Sequence, residues 1–122
     1  MILDRFTIFS AQCRDWLLYR ELLSLSRRPS FDGVAPDSIA TILHKFADSK
    51  LHSQIVEANV KRITNPEARA VAVRSALLSI WELSKKESRT NPALRFKWAR
   101  VMATCNSVYA PFQLPVDEAA NR

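Results

Sequence analysis

Arg95, Phe96, Lys97 and Arg100 fall within one stretch, TNPALRFKWAR (residues 90–100), and together they have the chemistry of a polyanion contact. Guanidinium and ammonium groups hold phosphates, and an aromatic ring among them stacks a base or touches a sugar. On a helical wheel with Leu94 at zero and about 100° per residue, Phe96 falls at about 200° and Arg100 at about 240°. Both lie nearly opposite the apolar stripe, with Arg95 and Lys97 on its two flanks. Phe96 is therefore expected in water beside a cation, unless it packs on another helix or on a protein partner.

More basic side chains stand nearby in the chain. Lys85, Lys86 and Arg89 occupy the junction before this stretch, and Lys61, Arg62 and Arg69 cluster around an earlier junction, TNPEARAVAVR (residues 64–74), which also carries Arg74. If the intervening helices run antiparallel, the two junctions lie at opposite ends of a bundle. Arg74 and Arg100 then mark the stretch between, and the whole would form a basic stripe. A solvated charged face without a function is the plain alternative. Contacts of this kind neutralise phosphates and release counterions, so they are sequence-tolerant and weaken steeply with salt. A helix-turn-helix reader has a short turn containing glycine between its helices. The junctions ITNPE and RTNPA contain none, which disfavours reading of bases in the major groove.

Other chemistries fail by absence. His44 and His52 stand eight residues apart without a zinc-like cluster and are expected on the surface, so no metal or cofactor is implied. Gly33, the single glycine, cannot make a phosphate-cradling loop. Glu82 and Glu87 stand among lysines, and Asp117 and Glu118 in the tail, so neither pair has the divergent environments of a general acid and base. Ser24, Ser26 and Cys105 lack an evident base. The chain is read as non-enzymatic.

The elements that carry these residues are helical. One glycine in 122 residues leaves little material for the tight turns of an antiparallel sheet. Residues 3–26 read as a first helix, with Phe6, Phe9, Cys13, Trp16, Leu17, Leu18, Leu22 and Leu25 on a drifting apolar face. RRPSFDGVAPD stops it and is the obvious hinge. A second helix starts near Ser38, capped by Asp37 or Ser38 after Pro36, with Ile39, Ile42, Leu43 and Phe46 inward. Its stripe cannot continue in phase into Leu51, Ile55, Val56, Val60 and Ile63, which predicts a break at Asp48–Lys50.

Each Thr-Asn-Pro then starts a helix, Asn65 or Asn91 capping the free amides and proline taking the first position. The helix after Pro66 is apolar on two sides, Val73, Leu77, Ile80 and Trp81 against Val71 and Leu78, and is expected to be central. That after Pro92 has Leu94, Trp98, Val101, Cys105 and Tyr109 in a stripe flanked by Met102 and Val108. The expected fold is all-α, a single compact bundle of about five helices over residues 1–110, with 111–122 a loosely docked tail. A chain of this length hides about two-thirds of its unfolded surface.

Net charge is +6, and its placement is uneven. Residues 1–37 are balanced, five basic against five acidic, whereas residues 38–110 hold twelve basic against five acidic. Both cysteines sit at helical spacing and are expected as buried reduced thiols, which suits the cytoplasm. Charges interrupt the N-terminal apolar stretch, so neither a signal peptide nor a membrane span is expected.

The near-absence of glycine, the helical bundle and the basic faces resemble the small subunit of Cascade-type (type I) CRISPR effector complexes. The resemblance covers residues 1–110 and brings no signature motif, so it transfers no individual residue. It implies a non-catalytic, antiviral-defence subunit, often in several copies, that touches nucleic-acid backbone, stabilising target heteroduplex or displaced strand while guide pairing selects sequence. The residues expected to make contact, from charge placement alone, are Lys61, Arg62, Arg69, Arg74, Lys85, Lys86, Arg89, Arg95, Phe96, Lys97 and Arg100. Implied partners are DNA or RNA backbone, other protein subunits and further copies of the chain. A protein-only helical adaptor anchored by Trp16, Tyr19 or Phe96, and a dimeric sequence-specific repressor, are the competing readings.

Overall fold

The structure, a computed structural model, describes the backbone of residues 2–61 and 68–112 and the side chains of 13–59 and 68–112. Among these residues it is all-α: α1 (Ile2–Ser26), α2 (Pro36–Ala47), α3 (Lys50–Lys61), α4 (Ala68–Thr90) and α5 (Arg95–Tyr109), with short 3₁₀ turns at Pro92–Leu94 and Ala110–Phe112. No strand occurs among the described residues.

The predicted break falls where the apolar phase jumps. Asp48 N–H donates to the His44 carbonyl at 3.1 Å and Ser49 N–H to that of Phe46 at 3.0 Å, closing α2. Ser49 then opens α3, its Oγ accepting from His52 N–H at 3.1 Å. A serine oxygen on the third amide of a helix is a standard N-cap. The start of α2 differs from expectation: Pro36 is the first helical residue, preceded by Ala35, and neither Asp37 nor Ser38 caps it. Proline needs no acceptor there, and Asp37 in the first turn meets the positive end of the helix dipole instead.

Packing follows from the directions of the helices. The four-residue link 91–94 folds α5 back antiparallel along α4, the most extensive helix pair. Lys97 meets Asp37 near the start of both α5 and α2, and Ala47 shares a groove with Val108 near their ends, so these two run side by side in the same sense. Ser26 and Arg28 lie beside Ser79 and Leu83, which sets α1 alongside α4. The core combines Tyr19 and Leu22 of α1, Ile39, Leu43 and Phe46 of α2, Ile55 of α3, Val73, Leu77 and Ile80 of α4, and Trp98, Val101 and Cys105 of α5.

Three apolar assignments are corrected. Cys13, Trp16 and Leu17 are exposed, because α1 buries Leu18, Tyr19 and Leu22 instead. Val71 and Leu78 are also exposed, so α4 is covered on one face only. Cys105 is buried as expected, and burial pushes its thiol up to about 12. On α5, Val108 takes the core position expected of Tyr109, since 3.6 residues per turn carries the stripe round the axis. Phe112 is fully buried, extending the packed chain past residue 110. Asn65 lies outside the described residues.

The loop between α1 and α2 is anchored rather than hinge-like. Phe31 is 1% exposed and stacks on Trp98, also 1% exposed, with centroids 5.7 Å apart and planes 14° from parallel. Gly33 makes this possible with φ +78°: Val34 N–H donates back to the Phe31 carbonyl at 3.0 Å, a turn whose third residue needs the left-handed region. Thermal and chemical denaturation should show Phe31→Ala losing about 3 kcal/mol, the usual cost of truncating a buried phenylalanine. Gly33→Ala should lose about 1 kcal/mol from backbone strain alone.

Candidate functional site

The antiparallel turn from α4 into α5 brings the last two helical turns of one and the first turn of the other to one end of the bundle. Lys85, Lys86 and Arg89 come from α4, and Arg95 and Lys97 from α5. The Phe31 anchor adds the preceding loop to the same end. Arg28 borders the α4 residues Leu78, Ser79 and Glu82, and Ser30 and Asp32 share a cleft with Lys86, Glu87, Thr90 and Asn91. Arg27 and Arg28, which sequence reasoning passed over as part of a loop, therefore join the basic set. Their signal was the RR pair directly after α1.

These cations differ in how free they are. Lys85 sits over the Trp81 ring with its Nζ 5.0 Å from the centroid, a cation–π contact. Lys97 Nζ pairs with Asp37 Oδ2 at 3.1 Å, both well exposed, so solvent screens the pair and it adds little stability. Arg27, Arg28, Lys86, Arg89 and Arg95 are exposed and none has an ion-pair partner among the described residues. Phe96 projects from the same turn, 87% exposed, so it packs on no other helix among the described residues.

The remaining expected contacts do not join this group. Arg69 is half-buried in the first turn of α4 and already makes an interaction; it lies about 24 Å along the helix from Lys85, at about 1.5 Å per residue. Arg74 is half-buried, and the exposed surface between it and Lys85 carries Ser75, Leu78 and Glu82. The expected continuous stripe is thus interrupted by apolar and acidic side chains. Arg100 is exposed on α5 beside His44, lining a groove towards α2 and α3. The side chain of Lys61 and all of Arg62 lie outside the described residues.

Asn91 also departs from its expected part. It precedes the 3₁₀ turn with φ −125° and ψ 84°, and its side chain makes no capping bond. Its backbone N–H closes α4 by donating to the Glu87 carbonyl at 2.9 Å, while the side chain lines the cleft. Glu87 was set aside in the sequence as one acid among lysines. In the fold it is 8% exposed, because it continues the buried row Val73, Leu77, Ile80, Ser84 at steps of three and four. That spacing was the signal that could have found it.

His52 is another correction. It is half-buried: its ring is edge-on to Phe46 and Phe112, with centroids 5.4 and 5.2 Å away, and its Nε2 is buried without a partner. Burial lowers its pKa from the ordinary 6.5, opposed in part by the charge of Asp48. His44 is exposed. Among the described residues no three side chains of metal-ligating type come together, and no helix is long and apolar enough to cross a membrane.

The chain matches no protein-family model, no curated protein and no solved structure.

Because His52 is held neutral in the fold, the unfolded chain takes up its proton first as pH falls below 6.5. Its contribution to stability is absent as a pH effect above about pH 7 and becomes a penalty from there down through the lowered folded value. Urea denaturation at pH 7.5, 6.5 and 5.5 should show wild-type stability falling with pH and a shallower fall for His52→Leu.

Proposed function

We propose that this chain is a non-catalytic subunit that holds nucleic-acid backbone by charge, without regard to sequence along the phosphates. The observation that carries the reading is the gathering of Arg27, Arg28, Lys86, Arg89 and Arg95 at one end of a rigid bundle, free of carboxylate partners, beside an aromatic ring that is 87% exposed. Exposed cations at close spacing attract a polyanion through counterion release. A ring left in water beside them offers a π-face to a base. The geometry suits the role of the small subunit of a Cascade-type CRISPR complex, stabilising heteroduplex or displaced strand as other components select sequence. In that setting the working form is a component of an assembly, and strand separation is favoured by binding, not by bond-breaking.

A second observation favours a protein neighbour on another surface. Trp16 and Leu17 on α1, and Val71 and Leu78 on α4, are large apolar side chains left exposed. Exposed apolar groups of this size mark protein contacts, and an adaptor role, or stacking of copies, would use them. The two surfaces adjoin where Arg28 borders Leu78, and Val71 lies further along α4.

The charge reading is tested by moving the same charge at two places. Arg89→Glu with Arg95→Glu should weaken binding to a thymidine single strand at least tenfold at low salt. It should also flatten the dependence of log affinity on log salt by about 1.4, at about 0.7 per phosphate contact. Lys45→Glu with Lys50→Glu changes net charge equally but lies at the opposite end, and should have a much smaller effect in the same fluorescence-anisotropy titration. Equal losses from both pairs would mean that only net charge matters.

A further inference from the structure

The uncovered side of α4 is a ridge between two grooves. Val71, Ser75, Leu78 and Glu82 are all exposed and follow one another at steps of four, three and four, the spacing of a coiled-coil seam. Towards α1 the ridge falls into a groove of about 360 Å³ that Ser26 and Leu83 help to line, and towards α5 into one of about 320 Å³ with Trp81 and Tyr109. Leu78 and Glu82 border both. A ridge flanked by grooves is the shape on which another helix packs. Leu78 is 53% exposed and Val71 45%, so the bundle itself does not cover them.

Charge says which helix. At about 100° per residue, Arg74 lies about 40° to one side of Leu78 and Glu82 about 40° to the other, about one turn before and one turn after it. Neither has an ion-pair partner among the described residues. The face is thus its own complement. When a second α4 is laid on it antiparallel, with Leu78 at the two-fold axis, positions equally far before and after Leu78 meet, so Arg74 of each copy faces Glu82 of the other. Ser75 then leaves room for Trp81, and Val71 meets Lys85, whose ammonium sits over the Trp81 ring. A parallel pair would instead set Arg74 against Arg74 and Glu82 against Glu82, and bring the two basic ends together. In the antiparallel pair Lys86 and Arg89 of the two copies stand about 24–33 Å apart along the axis, at about 1.5 Å per residue, at least about three screening lengths at physiological salt. We infer that this face of α4 binds a second copy of the chain, as an antiparallel two-fold pair centred on Leu78 with two Arg74–Glu82 ion pairs across it. This rests on reading the exposed apolar groups as a protein contact and needs no nucleic acid. Such a pair carries one basic end at each extremity, and can hold a strand at two places.

The experiment is sedimentation velocity of the whole chain under reducing conditions, from about 10 µM to about 1 mM, the range in which a contact of one helix face associates. Wild type should pass from monomer to dimer as concentration rises. Glu82→Arg sets arginine against Arg74, and Arg74→Glu sets acid against Glu82, so each should weaken association at least tenfold. The double swap restores opposite charges and should return to within about threefold of wild type, which also shows that a dimer lost in the single variants is not a lost fold. Oxidative cross-linking fixes the direction, in a Cys13→Ser background that removes the exposed native thiol. Leu78→Cys, at the axis, should trap a disulfide-linked dimer. Val71→Cys should not, since it stands about 21 Å along the axis from its own copy, beyond the reach of a disulfide. A chain that stays monomeric throughout, a dimer that survives Glu82→Arg, a double swap no tighter than the single variants, or equal cross-linking at both positions overturns the pairing. No nucleic acid takes part, so each of these results leaves the backbone-binding reading to its own titration.

Discussion

The stacking of Phe31 on Trp98 is the contact on which the functional end of the molecule depends. It joins a loop with no regular structure to the first turns of α5, and both rings are sealed from solvent. Without it, residues 27–35 would be a tether between two helices. With it, Arg27, Arg28, Ser30 and Asp32 are held against the end of α4, and the cleft acquires its second wall. The single glycine of the chain serves this contact, since the turn that points Phe31 inward needs a positive φ at Gly33. A local conformational requirement thereby decides where charge accumulates many residues away in sequence.

At the same end the basic rim borders an acid. Glu87 is 8% exposed as a residue, yet its carboxylate oxygens reach the solvent in the cleft. No direct ion pair joins it to the surrounding cations among the described residues.

How much of this was legible depended on whether the pattern alone set the outcome. The break at Asp48–Lys50 was, because a phase jump in the apolar stripe leaves no continuous helix that buries both halves. The exposure of Phe96 was too, since α5 has a narrow stripe and Phe96 stands opposite it. The faces of α1 and α4 were not. A helix apolar on several sides does not say which side its neighbours cover, so Cys13, Trp16, Leu17, Val71 and Leu78 were assigned to contacts that the bundle does not supply. Asn91 fits the punctuation of a helix start, but the 3₁₀ turn that follows took its side chain to the cleft. Glu87 was readable from its register with Val73, Leu77, Ile80 and Ser84, and its charged neighbours in sequence obscured that. His52 was hidden because Phe112, which covers it, is sixty residues away.

The central claim is that polyanion binding is confined to the end where the loop, α4 and α5 meet. Backbone amide chemical shifts of the labelled protein, followed during titration with a short single strand, test this residue by residue. The account predicts perturbations gathered at Arg27–Asp32 and Lys85–Arg95, with Lys45–Ile55 and the exposed face around Val71 unmoved. Perturbations spread evenly over the bundle, or centred on that apolar face, would contradict it.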